Sequence, residues 1–101
     1  MSEEEREEGE PQQLDLTALE LDQLLGLFMG IFSAKAWQYM GIRMTPGKEE
    51  AEKDMSKAAK AIDCVSFMVD KLAPSLPEQE LVNLRSMVSD LQINYARQSK
   101  G

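Results

Sequence analysis

The sequence predicts an all-α protein of three helices. Two observations carry that reading. Apolar residues recur at alternating spacings of four and three along both later segments, and no segment sustains the period-two alternation of a strand. Turn signals at Thr45-Pro46-Gly47 and around Pro74 and Pro77 divide the chain into three helical stretches.

The first helix is expected over about residues 17–41. Thr17-Ala18-Leu19-Glu20 has the form of a capping box, in which Thr17 satisfies the Glu20 amide and Glu20 reaches back to the cap. The second is expected over about 49–73. Glu49, Glu50, Glu52 and Asp54 would then sit at the positive end of its dipole, and Pro74 would stop it. The third is expected over about 77–97, opened by a second capping box, Ser75-Leu76-Pro77-Glu78, with Pro77 in the first turn. Met55, Ala58, Ile62, Val65, Val69 and Leu72 form one heptad seam. Leu81, Leu84, Val88, Leu91 and Tyr95 form another. Two matched seams joined by a short loop predict an antiparallel hairpin of helices two and three. Phe67 lies off the seam of helix two. Together with the nearly all-apolar run Cys64–Val69, it predicts cover on two sides of that helix and a buried, inert thiol at Cys64.

The 101 residues suffice for one domain, expected over 14–101. The formal charge of −7 is unevenly spread. Residues 1–10 hold six Glu and one Arg, and the rest of the chain carries only −2. Residues 1–13 therefore read as a disordered acidic tail. A chain with no excess of cations is not expected to bind nucleic acid. With no His and a single Cys, the sequence offers neither an imidazole base for nucleophilic catalysis nor a thiolate–imidazole metal site, so no enzyme activity, cofactor or metal is expected. Glu49, Glu50, Glu52 and Asp54 lack the fixed ligand spacing of a hard-cation loop. They are better read as a solvated helix start with ion pairs from Glu49 to Lys53 and from Asp54 to Lys57. The free thiol, and a start without a basic and apolar leader, place the expectation in the cytoplasm.

Helix one is the informative element. Leu24–Phe32 is nine residues without a polar side chain. A helix apolar on every face must be buried on every face, yet a three-helix monomer leaves one side in water. Gly26, Gly30 and Ala34 fall at i, i+4 and i+8, where small residues allow two backbones close approach. A homo-oligomer, with a dimer favoured, follows. Leu25, Gly26, Phe28, Met29, Gly30, Phe32, Ala34 and Trp37 are its expected interface, and Asp63 and Phe67 are candidate contacts for a protein partner. Membrane insertion competes for residues 24–42. A central Lys35 costs about 2.5–3.5 kcal/mol, against roughly 0.3–0.6 recovered by each Leu, Ile or Phe, so a spanning helix gains nothing. Peripheral attachment through helix one, with Trp37 and Tyr39 at the interface, is the alternative reading.

The chain also resembles the small bacterial proteins of the domain-of-unknown-function family numbered 1844. The resemblance rests on Ser33–Gly41 at the end of helix one, the loop Met44-Thr45-Pro46-Gly47, Ala58-Ala59-Lys60-Ala61-Ile62-Asp63 with Lys71 further on, and Asp90-Leu91-Gln92-Ile93-Asn94-Tyr95. It would cover about residues 17–97. Family members often carry Arg where Gln92 stands. The resemblance implies a small helical bacterial protein and supplies no activity. It draws attention to Asp63, a carboxylate beside a seam that could cap a partner helix or pair with Arg85 or Arg97, or simply be solvated. The function expected from the whole sequence is a non-catalytic interaction or accessory protein acting through self-association and protein contacts.

Overall fold

A computed structural model describes residues 15–100; the acidic tail expected over residues 1–13 lies outside them. Among the described residues there are three α-helices and no strands: α1 (Leu21–Tyr39), α2 (Met55–Leu72) and α3 (Glu78–Lys100), with short 3-10 turns at Leu16–Ala18 and Ala73–Ser75.

Each helix starts later than the sequence suggested, for a local reason. At α1 the Thr17 amide and hydroxyl both donate to the Asp15 carboxylate, which draws Thr17 into the 3-10 turn and leaves it no part in a cap. The capping box forms one turn on. Glu20 accepts from the backbone of Gln23, whose side chain accepts from the Glu20 amide at 3.0 Å. At α2 the acidic stretch from Glu49 stays non-helical up to Asp54, the actual N-cap, whose carboxylate accepts from the Lys57 amide at 3.2 Å and the Ser56 hydroxyl at 2.9 Å. The Asp54 amide donates to the Tyr39 carbonyl at 2.8 Å, so the end of α1 fixes where α2 begins. The expected Glu49–Lys53 and Asp54–Lys57 ion pairs are replaced by this cap and by Lys48–Glu52 at 3.3 Å. At α3 Ser75 belongs to the 3-10 turn, and the Pro77 carbonyl accepts from the Leu81 amide, so Pro77 precedes the first helical residue.

The end of α1 is set by Gly41 at φ +81°, one residue beyond its C-cap Met40. Gly41 donates to the Gln38 carbonyl and Ile42 to the Trp37 carbonyl, the paired bonds that close a helix on a left-handed residue. An L side chain there would cost roughly 1–2 kcal/mol in backbone strain.

The core is built around α2. Ala58, Ala61, Ile62, Val65, Met68, Val69 and Leu72 are buried on it, covering the expected seam from Ala58 onward, with Met55 partly buried. α1 contributes Met29 and Ala36, with Met40 just after it, and α3 contributes Val88 and Leu91. Leu81, Leu84 and Tyr95 pack against this cluster at their seam positions. Arg85 binds Asp70 at 2.6 Å near the turn between α2 and α3, and Lys53 donates to Gln98 at 3.4 Å beyond the other end of α2. α1 and α3 meet sparingly, as where the Ser33 hydroxyl lies 3.8 Å from the Met87 sulfur.

The bonds from Lys57 and Ser56 hold the Asp54 carboxyl below its ordinary value of 3.8. A depressed folded-state pKa contributes stability above that ordinary value and loses it as pH falls through the folded one. Thermal melts of Asp54→Ala should show a lower Tm at pH 7 and a shallower loss of Tm on acidification below pH 4 than the parent chain. Parallel acid slopes would show that the cap is not what titrates.

Candidate functional site

The face of α1 turned away from α2 keeps apolar residues exposed. The apolar run Leu24–Phe32 divides into two sides. Met29 is buried, and Leu25, Phe28 and Phe32 are partly buried against the core. Gly26 and Gly30 are exposed, and a Cβ built on either would meet nothing within 4 Å. Leu27 is 40% and Ile31 46% exposed on that same outer side. Gly26, Leu27, Gly30, Ile31 and half-buried Ala34 follow each other at helical neighbour spacings, so they form one continuous apolar strip.

The eight expected interface residues do not share one exposed face. Leu25, Phe28, Met29, Phe32 and Trp37 join the core or lean on it, while Gly26 and Gly30 face outward with Ala34 at their edge. Leu27 and Ile31, on that outer side, are not among the eight. Their spacing to the glycines was the available signal, but the unbroken apolar run has no polar residue to show which side faces in. The last turns of α1 go against polarity as well. Ser33 and Gln38 are buried, with the Gln38 side-chain oxygen 3.3 Å from the Thr45 hydroxyl.

On α2 both candidate partner contacts reach the surface. Phe67 is 59% exposed, and the Lys71 ammonium lies 5.2 Å from its ring centroid. α2 is covered from two sides as expected, but Phe67 lies on neither. Asp63 is exposed beside Ile62, Gln92 and Tyr95. Among the described residues it pairs neither with Arg85, which Asp70 takes, nor with Arg97. Cys64 is only half-buried, where a buried thiol was expected. Its neighbour α1 leaves a cavity there and does not close over it. Tyr39 is held between cations, with Lys35 4.8 Å and Lys57 5.6 Å from its ring centroid. No cluster of carboxylates and thiols suited to a metal ion occurs among the described residues, and no described helix is long and apolar enough to cross a membrane.

These features define a small three-helix protein with an apolar helix face left open. Its sequence matches the family described as Domain of unknown function (DUF1844) over residues 23–97, and the chain belongs to that family. No curated protein and no solved structure matches it.

The inward and outward sets should separate on substitution. Met29→Ala should destabilise the chain by about 2–5 kcal/mol, and Phe67→Ala should stay within about 0.5 kcal/mol of the parent, both read from urea denaturation. A Phe67→Ala loss as large as that of Met29→Ala would mean that Phe67 is covered in solution.

Proposed function

We propose that this protein is a non-catalytic interaction or accessory protein of the cytoplasm that works through helix-mediated self-association. Its unit is a homodimer joined along the outer face of α1. The observation that carries the reading is the exposed strip of Gly26, Leu27, Gly30 and Ile31. Full burial of a Leu or Ile side chain is worth about 1.5–3 kcal/mol, and each copy would bring two such side chains, each already about half covered. The two glycines present no side chain to hold a second helix away. An isologous pairing of α1 with itself would cover all four residues at once. The hairpin of α2 and α3, taken as antiparallel, serves as the support that orients α1. Asp70–Arg85 and Lys53–Gln98, near its opposite ends, favour that arrangement. A chain without His also lacks the commonest general base.

Light scattering on the full chain at micromolar concentration should give about twice the 11.4 kDa chain mass. Gly26→Leu/Gly30→Leu should give the single-chain mass with an unchanged helical spectrum, because both positions are open within the protomer. A monomeric parent chain would contradict the proposal, as would a variant that stays dimeric. A monomer that co-sediments with liposomes at low salt would favour the peripheral-membrane reading in its place.

A further inference from the structure

A second feature lies on the opposite flank of α1, against α2. A cavity of about 450 Å³ opens between the two helices, within the size range of small-molecule sites. Phe32, Ala61 and Cys64 form its apolar part, and Lys35, Lys57, Lys60 and Tyr39 stand around it. The placement has a local origin. Lys35 and Tyr39 are one turn apart on α1, and Lys57, Lys60 and Cys64 recur at helical spacing on α2, so the packing of the two helices brings both rows to one opening.

None of the three lysines makes an ion pair among the described residues, and the charges of Glu52 and Asp54 reach Lys35 and Lys57 only from the neighbouring turn. The ammonium groups of Lys35 and Lys57 both reach the ring of Tyr39, and Lys60 adds a third cation at the same opening. The ion pairs among the described residues are Lys48–Glu52 and Arg85–Asp70, neither of which includes these three lysines. The two carboxylates nearest in sequence before Lys57 hydrogen-bond elsewhere and do not enter the cavity lining. Glu52 is held by Lys48 and the Thr45 hydroxyl, and Asp54 caps α2 through the Lys57 amide and Ser56. Lysines that line an apolar cleft without ion-pair partners favour an anionic head group, and the cleft rewards an apolar body attached to it.

We propose that this cavity binds a small amphipathic anion, a carboxylate or similar head group carried on a short aliphatic or aromatic body. The head group lies among Lys35, Lys57 and Lys60, and the body lies against Phe32, Ala61 and Cys64. The site is separate from the outer strip of α1, so it can be occupied in a monomer or a dimer.

Decanoate and 1-decanol, both below the concentrations at which they aggregate, are suitable probes for calorimetric titration of the full chain. Decanoate should bind at least about tenfold more tightly than the uncharged alcohol, the difference expected of one charge-assisted contact. Lys57→Gln/Lys60→Gln should lose at least about tenfold in decanoate affinity while keeping its helical spectrum. Cys64 is the only thiol in the chain and reports occupancy directly, since saturating decanoate should slow its alkylation by iodoacetamide. Equal affinity for acid and alcohol, an unaffected double variant, or unprotected Cys64 would each overturn the proposal. So would lysine-dependent binding to phosphatidylglycerol vesicles with no binding of free decanoate, which would make the anion a membrane lipid.

Discussion

The structure depends on the burial of α2 by both of its neighbours. That helix supplies seven of the buried apolar side chains, while α1 and α3 contribute two each. The fully enclosed Val65 and Val69 lie on α2 and Leu91 on α3, and Met40 closes the end of α1 against them. The remaining features follow from this asymmetry. The outer helices need only one apolar edge each to complete the core, and they touch one another little. The ion pair Asp70–Arg85 is half-exposed and worth about 0.2–1 kcal/mol, so it fixes register more than it stabilises. Removing buried methylenes from α2 would cost far more.

Outside its core edge α3 is rich in Glu, Asn, Ser and Gln, with Val82 and Ile93 also exposed. On α1 the run Leu24–Phe32 is apolar all round, and the core uses only the side bearing Met29, with Leu25, Phe28 and Phe32 leaning on it. What remains outside is Gly26, Leu27, Gly30 and Ile31. On its other flank the same helix meets α2 unevenly. The contact that seats Met29 and Ala36 leaves an opening beside Cys64, with lysines around it. One helix thus borders both an exposed apolar strip and a lysine-lined cavity.

The sequence revealed those parts of the fold in which polar and apolar residues alternate with helical period. The seam of α2 from Ala58 to Leu72, its partner on α3, and the two connecting turns were all legible for that reason. Helix starts were less so, because several side chains compete to cap. Asp15 claims Thr17, and Asp54 outcompetes the glutamates before it since its shorter side chain reaches the Lys57 amide. The orientation of α1 was not legible. Leu24–Phe32 contains no polar residue to mark an outside, so Leu27 and Ile31 could not be told from Phe28 and Phe32. Buried Ser33 and Gln38 gave a contrary signal. The lysine-rimmed cavity was hidden for a different reason. Its cations come from two helices, and only the angle between those helices makes them neighbours.

Positional cross-linking tests the central claim, that the outer face of α1 meets its own copy. In a Cys64→Ser background, Gly30→Cys places one thiol on that face, and Ser86→Cys places a control thiol on exposed α3. Under mild oxidation the Gly30→Cys chain should convert to a disulfide-linked dimer and the Ser86→Cys chain should remain monomeric. Equal cross-linking at both positions, or none at Gly30→Cys, would contradict the account.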